Sequence, residues 1–159
     1  MHGCPCGYLG DKKRECSCKQ FEIERYHRKL SGPLLDRIDL QVYVPRLEYS
    51  DLQSKEAGES SSVIRARVIK ARQRQLQRLQ GTGLYCNAQM GRRELNKHCR
   101  MEAAAEQLLA KFFTALGLSA RSHDRIIKVA RTIADLDGSD IITAAHLAEA
   151  VQLRTSVNS

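Results

Sequence analysis

Four cysteines crowded into the first eighteen residues are the side chains best suited to bind a metal ion. They are Cys4, Cys6, Cys16 and Cys18, in the spacing C-x-C-x9-C-x-C. Four thiolates are the ligand set of a structural zinc site, and Zn²⁺ would order a loop that has too few apolar residues to fold unaided. C-x-C is less typical of zinc than C-x2-C, and His27 offers an imidazole as a substitute ligand. Two alternatives therefore stay open, a Zn²⁺ centre and a disordered loop of reduced thiols.

The remaining two cysteines, Cys86 and Cys99, are predicted to be structural thiols, with Cys99 inside the folded part. The chain shows no secretory signal pattern, so reduced thiols or a metal site are expected rather than disulfides. No apolar run approaches the ~18 residues that a membrane span needs. A cytoplasmic protein without a membrane segment is expected.

A row of basic side chains is the second feature that could do chemistry, since it could contact DNA phosphates. Its members recur at three- and four-residue intervals along one edge of a predicted helix: Arg67, Lys70, Arg74 and Arg78. No acidic residue occurs between Ser60 and Gln80, and the whole chain carries a net charge of +8. The alternative is a solvated helix face that lies opposite the apolar stripe of Ile64, Val68 and Leu79.

Arg121 is predicted to lie in the first turn of a helix capped by Ser119. The macrodipole disfavours a cation there by ~0.3–1 kcal/mol, so the placement makes better sense if an anion binds at that helix end. The alternative is an arginine that extends into water or pairs with Asp124. The later basic residues of the same helix are expected to be solvated or to lie at an interface: Arg125, Lys128 and Arg131.

Two nucleotide-binding motifs are missing from the sequence. No G-x-x-x-x-G-K-[ST] loop occurs, and no apolar run ends in Asp-Glu as a Walker B strand does. The chain also offers no credible Ser-His-Asp or Cys-His triad. This chain alone is therefore not expected to hydrolyse ATP.

The segment from Leu34 to Val44 alternates apolar and polar residues, as a half-buried strand does. It follows Gly32-Pro33, and Pro45 ends it. No other segment offers a convincing partner strand, so its sheet is expected upstream of Met1 and the chain is expected to be part of a larger protein. Residues 1–30, which are rich in Cys, Gly and charge, are expected to form a loop unless something clamps them.

Everything after a polar, Ser-rich linker is predicted to be helical, in a bundle of four long helices. With no Trp and only 5% aromatic residues, the core is expected to consist of Leu, Ile, Val and Ala. Ser61 or Ser62, Ser119 and Thr143 are predicted helix N-caps, and Gly117 and Gly138 are predicted stops. The inward faces are predicted to carry Ile64, Val68, Ala71, Leu79, Ala105, Leu108, Phe112, Leu116, Ile126, Val129, Ala130, Ile133, Leu147, Ala150 and Val151.

Several motifs, kept in order along the chain, resemble one family. Residues 31–40 read S-G-P-L-L-D-R-I-D-L, residues 118–121 read L-S-A-R, and residues 128–136 read K-V-A-R-T-I-A-D-L. These stretches resemble AAA+ ATPases of the magnesium chelatase and ComM competence protein (YifB-like) family. C-P-C-G-Y from Cys4 and C-S-C from Cys16 are similar to the cysteine-bearing insertion of that family.

The resemblance implies a fold and a division of the chain. The fold would be mainly α, a small helical AAA+ C-terminal lid preceded by a Cys-rich loop and one orphan β-strand of the AAA+ core. Residues 1–47 would be the edge of the core, residues 48–62 a linker, and residues 63–155 the lid.

The resemblance also implies roles for two arginines. Arg37 matches the arginine finger, which reaches from one subunit to the γ-phosphate of ATP bound by its neighbour; a surface ion pair with Asp36 or Asp39 is the alternative. Arg121 matches sensor 2, which contacts the nucleotide of its own subunit. ATP and Mg²⁺ would be bound by the upstream AAA+ core of the full-length protein.

Three functions are compatible with these observations. The first is a ring-forming, ATP-driven DNA branch-migration helicase of natural transformation, with a hexamer of identical subunits. The second is a motor of the same build that inserts magnesium into a tetrapyrrole. The third is a free-standing helical DNA-binding module with a zinc knuckle. The Cys-rich insertion and the basic helix favour the first.

Overall fold

The computed structural model describes residues 2–11, 13–29, 34, 37–42, 44, 47, 49, 53 and 58–155. The chain divides into two compact units. The first comprises Met1–Ile38 and Val44–Leu52, and we refer to it as the cysteine unit. The second comprises Asp39–Tyr43 and Gln53–Ser159, and we refer to it as the helical unit. The predicted boundaries at residues 47 and 62 stay predictions.

Within the cysteine unit, helix α1 spans Gln20–His27. This segment of residues 1–30, predicted to be a loop unless something clamps it, is therefore helical. A carboxylate oxygen of Glu22 accepts a hydrogen bond from the backbone N–H of Lys19 at 2.8 Å, which satisfies one donor at the start of the helix. Arg25 and His27 lie in the last turn, where the helix dipole favours cations. No residue of α1 is buried.

Within the predicted strand, residues 38–42 have no regular secondary structure, and Leu34 is helical. Leu40 and Val42 are exposed, and among the described residues no partner strand lies alongside them. The backbone N–H of Gln41 instead donates to the carbonyl of Leu153, at 2.6 Å, within the helical unit. A strand needs a neighbouring strand to satisfy its backbone, so the alternating pattern alone does not produce one here.

The helical unit is a bundle built around four long helices, as predicted. It contains helices α2 (Ser61–Arg78), α3 (Arg92–His98), α4 (Ala103–Ala115), α5 (Ala120–Leu136) and α6 (Ala144–Thr155), with a 3-10 turn at Asn87–Gln89. Helix α5 packs against α6, α2, α3 and the 3-10 turn, while α4 packs against α6. Among the helices that the structure describes, none is long and apolar enough to cross a membrane.

Short polar side chains and glycines set the helix ends. The Ser119 hydroxyl accepts from the backbone N–H of Ser122 at 3.1 Å and caps α5, as predicted. The cap of α2 is Ser60, one residue before the predicted position, with the N–H of Val63 at 3.5 Å. Beyond α5, Gly138 has φ +76°, a conformation that glycine adopts without a steric cost.

The core lies between α5 and the helices around it. Its buried members are Leu79, Met90, Leu95, Cys99, Ala105, Leu109, Ile126, Ile127, Ala130, Ala134, Ile142, Leu147, Ala150 and Val151. The predicted inward stripe of α2 was wrong in its first half, because Ile64 and Val68 are 40% and 45% exposed. The buried face of this helix begins at Ala71 and continues through Gln75. Leu116, predicted to face inward on α4, is 45% exposed.

A backbone junction joins the starts of α4 and α6. Met101 and Ile142 form an isolated parallel bridge, in which the N–H of Ile142 donates to Arg100 O at 2.9 Å and the N–H of Glu102 donates to Ile142 O at 3.1 Å. The side chain of Glu102 then accepts from the N–H of Ala144 at 2.7 Å, in the first turn of α6. Glu102 therefore links the N-terminus of α4 to the first turn of α6.

Candidate functional site

The four cysteine sulfurs of the cysteine unit converge on one point. All four lie within 4.8 Å of one another, and none is in a disulfide. Cys4 Sγ is 3.3 Å from Cys6 Sγ and 3.6 Å from Cys16 Sγ. A tetrahedral zinc site with Zn–S bonds of about 2.3 Å places its sulfurs about 3.8 Å apart. The thiols therefore fit a single zinc ion.

Two tight turns bring the first pair of cysteines into place. The N–H of Gly7 donates to Cys4 O at 3.1 Å, and Gly7 has φ +84°. The N–H of Asp11 donates to Tyr8 O at 3.1 Å in the next turn. Arg14 lies 4.2 Å above the Tyr8 ring and donates to its hydroxyl at 2.9 Å. Local hydrogen bonds thus shape the loop with little apolar packing.

The thiols influence the protonation of one another. A backbone hydrogen bond with Tyr8 lowers the pKa of Cys6 to about 5. The pKa of Cys18 is instead raised to about 12. A backbone hydrogen bond with Cys6 lowers this pKa, but burial and the hydrogen bonds with the three neighbouring thiols raise it by more. Adjacent thiolates repel one another, so a divalent cation at the centre would allow all four to ionise.

His27 does not join the sulfur cluster. Its Nε2 lies 2.6 Å from the carbonyl oxygen of Gly3, and because a carbonyl only accepts, this nitrogen carries the proton and donates. The group of potential metal ligands found among the described residues consists of the four cysteines. His27 therefore serves as a hydrogen-bond donor to the residue before Cys4 rather than as the substitute ligand.

Arg37 is exposed, and its backbone N–H donates to Leu34 O at 2.9 Å in a turn of the cysteine unit. Asp36, one of its two predicted alternative partners, lies outside the described residues. Asp39, the other, forms an ion pair with Arg125 in the helical unit. The arginine-finger role of Arg37 stays a prediction.

Arg121 is the second residue of α5 and is exposed. The carboxylate of Asp124, its predicted alternative partner, is instead contacted by Arg92 and by the ring of His123. Among the described residues, no hydrogen bond or ion pair involves the Arg121 side chain. A guanidinium at the positive end of a helix, with its nearest acid occupied, is well placed to meet an anion.

The four basic residues of α2 divide into two pairs. Arg67 is half exposed and forms a two-pronged ion pair with Glu59, while Lys70 is exposed. Arg74 donates to Gly138 O at 2.6 Å and to Asp140 at 2.7 Å. Arg78 is largely buried against Asp135. The expectation of one continuous basic edge was therefore wrong, since Arg74 and Arg78 hold α2 to the end of α5.

A buried charge network was missed by the sequence analysis. Arg131 is 0% exposed, which overturns the expectation that it is solvated or at an interface. It lies 3.1 Å from Asp135, which also contacts Arg78 and accepts from Asn87 at 2.8 Å. The i,i+4 spacing of Arg131 and Asp135, on the face that carries Ile127 and Ala134, is the signal that could have revealed this pair. The network is structural.

Cys99 is buried in the core, as predicted. Burial raises the pKa of its thiol to about 11, although Arg131 and Arg78 oppose the shift. Such a thiol is protonated and unreactive at neutral pH.

Comparison with known families places both units in one class of protein. The family described as "Magnesium chelatase, subunit ChlI" matches residues 1–52. The family described as "Magnesium chelatase, subunit ChlI C-terminal" matches residues 58–154. The matches follow one another along the chain and define a C-terminal piece of an AAA+-type protein.

Individual relatives give the same result over nearly the whole chain. Competence protein ComM of Haemophilus influenzae is 39% identical over 158 residues, which is 99% of this chain and 30% of that protein. The uncharacterized protein YifB of Escherichia coli is 40% identical over 156 residues, 97% of this chain and 29% of YifB. An uncharacterized protein of Mycobacterium tuberculosis is 36% identical over 151 residues, 95% of this chain and 29% of its own length. The chain belongs to the magnesium chelatase and ComM family, and it spans under a third of the length of these relatives.

Proposed function

We propose that this chain is the C-terminal part of an oligomeric, ATP-driven motor that acts on DNA. Its helical unit supplies Arg121 to ATP bound by the same subunit, and its cysteine unit supplies Arg37 to ATP bound by a neighbouring subunit. The observation that carries the proposal is the exposed Arg121 in the first turn of α5, where Asp124 is already engaged by Arg92.

Both arginines would act by electrostatics. Negative charge spreads over the transferred phosphoryl group in the transition state, and a planar, permanently charged guanidinium stabilises it without a proton transfer. ATP and Mg²⁺ are held by a P-loop and a Walker B carboxylate that these 159 residues lack. The upstream coding sequence is expected to encode both motifs, and its reading is the simplest first test.

DNA is the substrate we favour. The likeness to a protein named for competence supports a role in transformation, and Lys70 is exposed on α2 for phosphate contacts, one turn from the half-exposed Arg67 that pairs with Glu59. Insertion of magnesium into a tetrapyrrole is the second candidate, because both matching families are named for magnesium chelatase. ATP hydrolysis stimulated by DNA supports the first, and hydrolysis stimulated only by a tetrapyrrole supports the second.

We also propose that the four cysteines hold a structural Zn²⁺ ion. Their sulfurs fit one tetrahedral ion, and four protein thiolates leave no open coordination position for catalysis. Metal analysis of protein purified without chelator is expected to give one zinc per chain. Less than half an equivalent would remove the zinc centre from the proposal without touching the two arginines.

Mixed oligomers of the full-length protein test the arginine roles. Arg37→Ala and Arg121→Ala are each expected to lower kcat for ATP hydrolysis while nucleotide binding persists, and loss of a finger costs about 10³-fold or more. Arg93→Ala is the matched control, since Arg93 is exposed on α3 and has no assigned role. Its activity should stay within about twofold of the wild type, in line with the small effects of most surface substitutions.

Mixing the two inactive variants then distinguishes the arrangements. If Arg37 acts on the neighbour's ATP and Arg121 on its own, some sites of a mixed ring contain both arginines and activity partly returns. If both arginines reached the same neighbour, every mixed site would lack one of them and no activity would return. Native mass spectrometry confirms that mixed rings form, so the absence of recovery contradicts the proposal.

A further inference from the structure

Helix α1 lacks the usual means of support. It has eight residues, whereas isolated helices shorter than about 12–15 residues are marginal in water. None of its residues is buried, and the ring of Phe21 is 60% exposed. Apolar packing therefore does not hold α1 in place.

Both ends of α1 are attached to the sulfur cluster. At its start, only Lys19 separates the helix from Cys18. At its end, His27 donates from Nε2 to the carbonyl of Gly3, the residue before Cys4, at 2.6 Å. The cluster and this hydrogen bond thus close residues 3–27 into one continuous loop.

The cluster is also the interior of its unit. Among the described residues of the cysteine unit, Cys4 is the one whose side chain is buried, at 0% exposure. Arg37 belongs to the same compact unit. The sulfurs and Arg37 therefore belong to one compact unit, in which Cys4 is the one buried side chain among the described residues.

We infer that a zinc ion at the four cysteines acts as the core of the cysteine unit: its binding folds α1, with His27 as the link, and thereby positions Arg37. The metal takes no part in the phosphoryl transfer, and its removal inactivates the neighbour's ATP site in the same way as loss of the Arg37 side chain. This inference rests on the zinc centre and the arginine finger of the proposed function.

Hydrogen–deuterium exchange on the 159-residue protein tests the coupling to α1. With one equivalent of Zn²⁺ bound, the amides of residues 23–28 should be protected; after chelation they should exchange at the rates of an unstructured peptide, while α5 stays protected. His27→Phe should keep the zinc and lose part of the protection of α1. Unchanged protection of α1 in fully metal-free protein would overturn the inference.

Complementation in the full-length protein tests the coupling to Arg37. Cys16→Ser should lose zinc and reduce ATP hydrolysis to the level of Arg37→Ala, with nucleotide binding intact. Rings that mix Cys16→Ser with Arg121→Ala should recover ATPase activity, because the Arg121→Ala subunits carry an intact Arg37. Rings that mix Cys16→Ser with Arg37→Ala should stay inactive, because no subunit supplies a working Arg37. Cys86→Ser, which alters a thiol of the helical unit, is the control and should behave as the wild type.

Failure of the inference is distinguishable from failure of the proposed function. A Cys16→Ser protein that loses its zinc and keeps full ATPase activity refutes the metal's role but leaves Arg37 as the finger. The metal's role is also refuted if Cys16→Ser forms mixed rings with Arg121→Ala and with Arg37→Ala but neither mixture recovers ATPase activity. This conclusion requires that Arg37→Ala and Arg121→Ala complement each other. If that reference pair fails, the arginine assignment falls, while the exchange experiment still decides whether zinc folds α1.

Discussion

The two units of this chain represent two ways of stabilising a fold. In the helical unit, fourteen buried residues form a continuous core around α5. In the cysteine unit, Cys4 is the one buried side chain among the described residues, and turns, a short helix and four convergent thiols surround it. Removal of apolar surface from water stabilises the first, whereas the second has almost no such surface to bury.

The two units should therefore respond to different perturbations. A small segment without an apolar core folds when a metal or a set of disulfides replaces that core, and the free cysteines here favour the metal. The helical unit depends instead on packing and on the buried charges between α2 and α5. Three experiments test this contrast.

Metal removal should unfold one unit and spare the other. Structural zinc contributes about 10–16 kcal/mol in small zinc modules, far more than any single side chain. Chelation should therefore make the Arg14–Lys29 segment cleavable by trypsin, while the thermal midpoint of the helical unit, followed by circular dichroism, does not change. A lower midpoint after chelation would show that the two units do not have separate sources of stability.

Asp135→Ala should damage the helical unit alone. It leaves the buried Arg131 and the largely buried Arg78 without their carboxylate, and an unpaired buried charge costs about 3–5 kcal/mol. Urea unfolding measures the loss. Asp140→Ala is the matched control: its carboxylate pairs with Arg74 but is 92% exposed, so a loss of about 0–1 kcal/mol is expected. Equal losses for the two variants would contradict the structural role of the network.

Acid should weaken the helical unit slightly through His98. Burial, with help from Lys97 and Arg78, lowers the pKa of His98, and its Nε2 has no hydrogen-bond partner among the described residues. As the pH falls below about 6.5, the pKa of histidine in the unfolded chain, the unfolded chain binds a proton before the folded protein does. The free energy of unfolding therefore decreases until the pH reaches the lowered pKa of His98 in the folded protein. The difference in unfolding free energy between the wild type and His98→Gln should decrease from pH 7 to pH 5. If this difference in unfolding free energy stayed constant from pH 7 to pH 5, His98 would not be the source of the acid sensitivity.

Local signals explain what the sequence could predict. Ser119 and Gly138 define the ends of α5 through contacts with near neighbours, and both were identified correctly. The four cysteines were grouped correctly from their close spacing along the chain, and their sulfurs lie within 4.8 Å of one another. The family was also correct, since its motifs are contiguous stretches of sequence.

The failures arose where partners are distant in sequence. Arg78 and Asp135 are 57 residues apart, so nothing near Arg78 in the sequence indicates that it is buried. Ile64 and Val68 form an apolar stripe, but periodicity does not say whether a partner covers it. The alternation from Ile38 to Val42 likewise describes a strand only when a sheet is present. Helix α1 was missed because no residue of it is buried, so it has no apolar stripe that a sequence pattern could reveal.

The junction at Met101 and Ile142 has a practical consequence for engineering. Because Glu102 contacts the entrances of α4 and α6 at once, an insertion at residues 100–102 or 140–144 would displace two helices together. The turn at Gly81 and Gly83 contacts nothing within 4 Å of the position of a Cβ, although both glycines have φ +77° and must be kept as glycine. A fluorophore or an affinity tag therefore belongs in that turn, where the chain has space to lengthen.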